Sequence, residues 1–263
     1  MKRRYVLATL TLLASLSTTN AYCQKAKKGH ASDEETSAAP MTSETGTGTD
    51  AGKGADHLHR ISAEASNSLR QRGVMSRAFP NRSVSDVIPR DILSAIPVIE
   101  HVDGSKIRNE GSWAAIRDVL SVIGKKGRGS YAATRSQAGA HGLFQYMPGT
   151  YAGIRRMYPE ARLISSFSEG MKNEVNAAMA AYLLLDESLS GVDKGQRDAL
   201  MRSPETLRRF LATAYNAGGR KAVSALESGS RNRPRLELSH RNLPRETQAY
   251  LRKLAAYRMV AAG

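Results

Sequence analysis

Apolar residues recur at helical spacing along most of the chain after residue 90. Ile92, Leu93, Ile96 and Ile99 fall on one face of a helix that opens at Pro89, with Asp86 a candidate cap, and closes at Glu100. Trp113, Ile116, Val119, Leu120 and Ile123 mark a second helix, started by Gly111-Ser112 and stopped by Gly124. Helical spacing resumes over residues 151–158. The broadest apolar face belongs to residues 174–189, where Val175, Ala178, Met179, Tyr182, Leu183 and Leu185 line up. Residues 207–217, ended by Gly218-Gly219, and residues 247–260 predict two more helices. Few stretches alternate with a two-residue period and no repeat is visible, so the expected fold class is mainly α.

Before residue 81 that pattern lapses. Met1-Lys-Arg-Arg4, a short Leu- and Ala-rich run and Thr19-Asn-Ala21 have the form of a secretory signal over 1–21, cut after Ala21, which predicts export to the periplasm or cell envelope. The run is too short to span a bilayer, so no transmembrane helix is expected in the mature chain. Cys23, the sole cysteine, excludes an internal disulfide; a lipid anchor there is disfavoured by the bulky Tyr22 before it. Residues 22–80, rich in Ser, Thr, Gly and Ala, predict a low-complexity spacer with at most a short helix over 61–69. His57 and His59 read there as solvated polar residues, not metal ligands, and no metal or cofactor is expected. The folded domain is expected over 81–263.

Charge narrows the partner more than the fold. The chain carries a net +15, and Lys and Arg still outnumber Asp and Glu after residue 80, which favours an anionic polymer. Nucleic acid is not expected, because neither an aromatic-interleaved basic strand nor a zinc pattern is present. Gly124-Lys-Lys-Gly-Arg-Gly-Ser130 lacks the Gly-Lys-Ser/Thr ending of a phosphate-binding loop and reads as a mobile basic loop.

Four ordered stretches carry the candidate chemistry. They are the apolar lead-in Ile96-Pro-Val-Ile99 to Glu100, then Ser136-Gln-Ala-Gly-Ala-His-Gly-Leu-Phe-Gln-Tyr-Met-Pro148 with Thr150, Ala214-Tyr-Asn-Ala-Gly218, and Leu243-Pro-Arg-Glu-Thr-Gln-Ala-Tyr250. A carboxyl behind a greasy helix face is desolvated and keeps its proton at neutral pH, as a general acid requires. Together these stretches, covering about 89–258, resemble the lytic transglycosylases of the lysozyme superfamily, in particular the membrane-bound murein transglycosylase D branch.

The resemblance implies a lysozyme-like domain that cleaves peptidoglycan glycan strands at the bond after N-acetylmuramic acid, leaving 1,6-anhydro ends. It implies Glu100 as the single catalytic acid and base, Ser136 and Gln145 as sugar contacts, and Tyr215 and Asn216 as residues that line the cleft and orient Glu100. Plainer roles stay open: a turn residue for Gln145, a core ring for Tyr215, a surface charge for Glu100. Gly139 and Gly142 are expected to serve the backbone. A hydrolase would need a second carboxylate, for which Asp103 is nearest, and a wall-binding protein without catalysis would need none. Two departures stand out: His101 follows the acid where the family has Ser, and roughly residues 105–130 are interposed before Ser136. That segment, with Lys125, Lys126 and Arg128, is open to three readings: a lid, a contact to acidic peptide stems or an envelope or secretion-machinery partner, and a solvated loop.

Overall fold

The computed structural model describes residues 48–227, 237–239 and 243–262, which fall within a single unit, Ser43–Gly263. The expected signal segment, Cys23 and the first half of the expected spacer lie outside the described residues. Eleven α-helices carry the described fold: α1 (Asp50–Gln71), α2 (Val84–Val87), α3 (Arg90–His101), α4 (Gly104–Lys126), α5 (Pro148–Met157), α6 (Phe167–Lys172), α7 (Glu174–Ser190), α8 (Lys194–Met201), α9 (Pro204–Ala217), α10 (Gly219–Ser224) and α11 (Arg245–Ala262). A two-stranded antiparallel ribbon pairs β1 (Leu226–Glu227) with β2 (Glu237–Leu238) in the register Leu226 to Leu238. The mainly helical class expected from periodicity is what the chain adopts. Among the described residues no helix is long and apolar enough to cross a membrane.

The hub is α7. Residues 176–183 are all buried, as are Leu185 and Leu189, so this helix is covered on every side and α1, α2, α3, α5, α6, α9 and α10 lean on it. Asn173 starts it by accepting the amide of Asn176 at 2.9 Å. Midway, the fully buried Asp186 accepts from the Arg77 amide at 2.7 Å, the Tyr158 hydroxyl at 2.8 Å and the Ser76 hydroxyl. Burial pushes that carboxyl above its usual range, and those donors pull it back toward the charged form.

Residues 50–80 are not spacer, which corrects the domain boundary drawn from composition. Thr49 caps α1 by accepting the amide of Gly52 at 3.0 Å, and Leu58, Ile61, Ala65 and Leu69 form a stripe that is buried against α3, α4 and α7. Full burial of Leu58, Ile61 and Leu69 is worth about 1.5–3 kcal/mol each and docks a helix with few other apolar residues onto the core. His57, taken from sequence as solvated, is buried. Its Nε2 donates to the carboxylate of Glu174 at 3.0 Å, and its Nδ1 accepts from Arg60 at 3.1 Å.

The segment 105–130 is structural as well. Helix α4 breaks at Gly111 (φ 85°, ψ 160°), where the sequence signals a helix start, and its second half buries Ala115, Ile116, Val119, Leu120 and Ile123 against α1. Gly124 does not end that helix. A Cβ on Gly124 would lie 1.8 Å from the Asp50 carbonyl oxygen, and one on Gly54 2.0 Å from that of Leu120, so the glycine pair lets two backbones touch. Lys125 and Arg128 reach back to Asp50 and Glu64 of α1 at 3.9 and 3.7 Å. The turn after α4 is tied down too, since the Gly129 amide donates to Glu174 at 2.8 Å; the expected mobile loop is anchored. Trp113 faces outward, with Arg117 stacked 4.2 Å from its ring. Asp86 does not cap α3 but pairs with Arg70 at 2.6 Å.

Candidate active site

Glu100 is the penultimate residue of α3, behind the buried run Ile96, Pro97, Val98 and Ile99. Burial of its carboxyl is the largest influence and pushes it up to about 7, opposed by the Tyr250 phenol and by the positive charge of Lys253. Both opposing groups come from α11, three residues apart and therefore on one face. Lys253 Nζ also donates to the carbonyls of Val102 at 2.8 Å and Ile99 at 3.3 Å, satisfying orphan acceptors at the end of α3. Burial lowers the lysine below its usual range, with Glu100 and Asp103 acting against that. Tyr250 is buried and favours the charged form of Glu100, yet its hydroxyl forms no hydrogen bond of ordinary geometry with a described residue.

Tyr215 approaches from α9. Its phenol is pushed well above its ordinary range by burial first, then by Tyr146 and Glu100, and its hydroxyl donates to the Phe144 carbonyl at 2.7 Å. This fits the core-ring reading: the ring packs edge-on against Tyr146, and its charge environment includes Glu100. Asn216, next in sequence, is exposed and does not reach Glu100; its Oδ1 accepts from Thr247 at 2.9 Å, bracing α9 to α11. The last two sequence stretches are thus stitched to each other, and each brings one phenol into the electrostatic surroundings of the carboxyl.

Stretch 134–146 folds into a tight loop held by bridges between Arg135 and His141 and between His141 and Tyr146. Ser136 spends its hydroxyl here, accepting the Ala140 amide at 3.0 Å, and Gln145 donates its side-chain amide to Gly142 O at 2.8 Å. For these two the structure shows turn-building roles. Gly139 (φ 88°) and Gly142 (φ 74°) occupy the left-handed region, and a Cβ on Gly142 would sit 2.8 Å from the Met171 carbonyl. Gln145 adopts φ 47° without being glycine, a conformation that costs on the order of 1 kcal/mol and that tends to collect at working sites.

Sequence reasoning named Glu100 and Tyr215 but not Tyr250, Lys253 or His101 as parts of one cluster. Tyr250 closes the fourth stretch, and Lys253 follows at helical spacing, so a signal was present without a way to aim it. His101 donates Nε2–H to the Leu143 carbonyl at 3.1 Å and stacks on Tyr131, ring centres 3.8 Å apart. Burial holds that imidazole down to about 4, against hydrogen bonds to Leu143 and Gly142. Asp103 is fully exposed and caps α4 by accepting the Ser105 amide at 2.8 Å, which is a helix-start role. Glu110 is an exposed partner of Lys106 at 3.6 Å.

A cavity of about 820 Å³ lies elsewhere, between α1, the 128–129 turn and the α6–α7 junction. Its one buried carboxylate, Glu174, has both oxygens engaged by His57 and Gly129, and Asn176 is engaged by Ile164, Tyr151 and Gly170, so these two buried groups are already partnered. Among the described residues no group of three or more His, Cys, Asp and Glu is gathered as a metal would need. Comparison with family models, with curated proteins and with solved structures finds no match to this chain.

Proposed function

We propose that this chain is a peptidoglycan lytic transglycosylase with Glu100 as its single acid and base. The observation that carries the reading is a carboxyl at the end of α3 that burial pushes up to about 7, so that a large share of it keeps its proton at neutral pH, with Tyr215, Tyr250 and Lys253 from the later stretches and α11 in its electrostatic surroundings. In this scheme Glu100 gives its proton to the oxygen linking N-acetylmuramic acid to the next sugar, and the C1–O4 bond breaks. The 2-acetamido oxygen shares the positive charge at C1. Glu100, now a carboxylate beside the Lys253 ammonium, takes the proton of the 6-hydroxyl as O6 closes on C1, which restores the acid and consumes no water. The excess of basic groups suits a wall polymer bearing acidic peptides and keeps the enzyme near it.

The test is digestion of purified cell wall by wild type and by Glu100→Gln, with fragments read by mass spectrometry. Anhydro-ended fragments from wild type alone are expected. Hydrated ends would make the protein a hydrolase, and no release by either, with wall still bound, would make it a binding protein.

A further inference from the structure

Glu100 makes no recorded hydrogen bond to the 134–146 loop, so something else must fix the loop against the end of α3. Two successive loop carbonyls are gripped from two helices: Leu143 O by His101 of α3 at 3.1 Å, and Phe144 O by Tyr215 of α9 at 2.7 Å. A carbonyl can only accept, so the His101 Nε2 carries the hydrogen and the neutral ring suffices. The ring is covered on one face by Tyr131, nearly parallel at 15°. Tyr131 in turn follows the turn whose Gly129 amide is held by Glu174, itself backed by His57 and Arg60. The bond at Leu143 lies two residues from Gln145, whose left-handed backbone needs its surroundings to hold it.

We propose that His101 is the positioning residue of this site: clamped by Tyr131 and bonded to Leu143, it locks the 142–145 turn onto α3 and keeps the Glu100 carboxyl enclosed with Tyr215 and Tyr250. The inference rests on Glu100 being the working acid, and gives the residue that departs from the family's Ser a task of its own. Burial of the imidazole is compatible with it, since the neutral ring already carries the N–H that the bond needs.

The experiment compares His101→Gln, which keeps an N–H at similar reach, with His101→Met, which fills the space without one. Tyr131→Leu removes the stack and leaves the donor. The Glu100 carboxyl is titrated by carbon-13 NMR, and kcat and KM are measured on cell wall. His101→Met is expected to lower the Glu100 midpoint by at least about one unit as water enters, and to lower kcat about tenfold with KM nearly unchanged as the acid loses its placement. His101→Gln is expected to keep both close to wild type, and Tyr131→Leu to move both in the direction of Met. An unchanged midpoint in His101→Met, or Gln and Met variants that behave alike, overturns the proposal. A wild type whose Glu100 titrates near 7 but releases no fragments sinks the catalytic reading instead, and the titrations still decide the role of His101.

Discussion

Burial pushes Glu100 up to about 7 and His101, the next residue, down to about 4, so adjacent side chains respond to pH in opposite senses. The folded chain holds a proton on Glu100 that the unfolded chain gives up above about 4.5, so its contribution is complete below that pH and is lost as pH rises to 7. His101 refuses a proton that the unfolded chain accepts below about 6.5, so its contribution is complete above that pH and is lost as pH falls to 4. Each shift is worth on the order of 3 kcal/mol, and in wild type the two slopes largely cancel. Glu100→Gln removes one of them. Its stability relative to wild type, from urea melts, is expected to improve by about 3 kcal/mol between pH 4.5 and 7; a difference that stays constant would contradict the buried, protonated acid. Lys253→Met removes the charge that favours the carboxylate, so the Glu100 midpoint, followed by carbon-13 NMR, is expected to move upward by up to about one unit. Losing its bonds to Ile99 and Val102 costs about 1–2 kcal/mol in the same variant. The raised carboxyl of Glu100 was legible because a greasy run precedes it. Lys253 and Tyr250 were not, because their closeness to Glu100 is decided by how α11 crosses α3, which no local pattern encodes. Gln145 and Ser136 show the converse: a motif names the polar residue, and only geometry shows that its polar atoms serve the turn.

Only residues 61–69 of helix α1 were anticipated, for a different physical reason. Its buried stripe is four residues long in a run of Ser, Ala and charged groups, and Ser62, Ser66 and His57 are buried beside it, so composition reads as solvated while the inner face is not. What makes the helix fit is absence of side chain, at Gly54 and Gly124, where backbone meets backbone. Gly54→Val is expected to force α1 off α4 and cost at least about 3 kcal/mol. Gly149→Ala, in α5 where a Cβ meets nothing within 4 Å, is the control, expected to be neutral or stabilising by up to about 1 kcal/mol. Thermal melts of the two variants decide this, and equal effects would refute the close crossing. The break in α4 was readable because glycine at φ 85° is a local requirement that shows in the sequence as Gly111-Ser112.

At the scale of the molecule, the mainly helical class follows from periodicity alone, whereas the arrangement around α7 does not. The sequence marks 174–189 as the most apolar helix, and a helix apolar on most faces has no way to lie at a surface. Once it is internal, the others have to be distributed about it, and Asp186 fastens the Ser76–Ala78 loop and Tyr158 to its middle. A central rod of this kind leaves the protein no seam along which to come apart in stages. Deuterium should reach the amides of residues 178–186 only when the entire chain opens, with protection equal to the global stability, while the first turn of α4 exchanges orders of magnitude sooner. Wear would then be an all-or-nothing event: a molecule retains its helical core or is lost to proteases whole, with few crippled forms between.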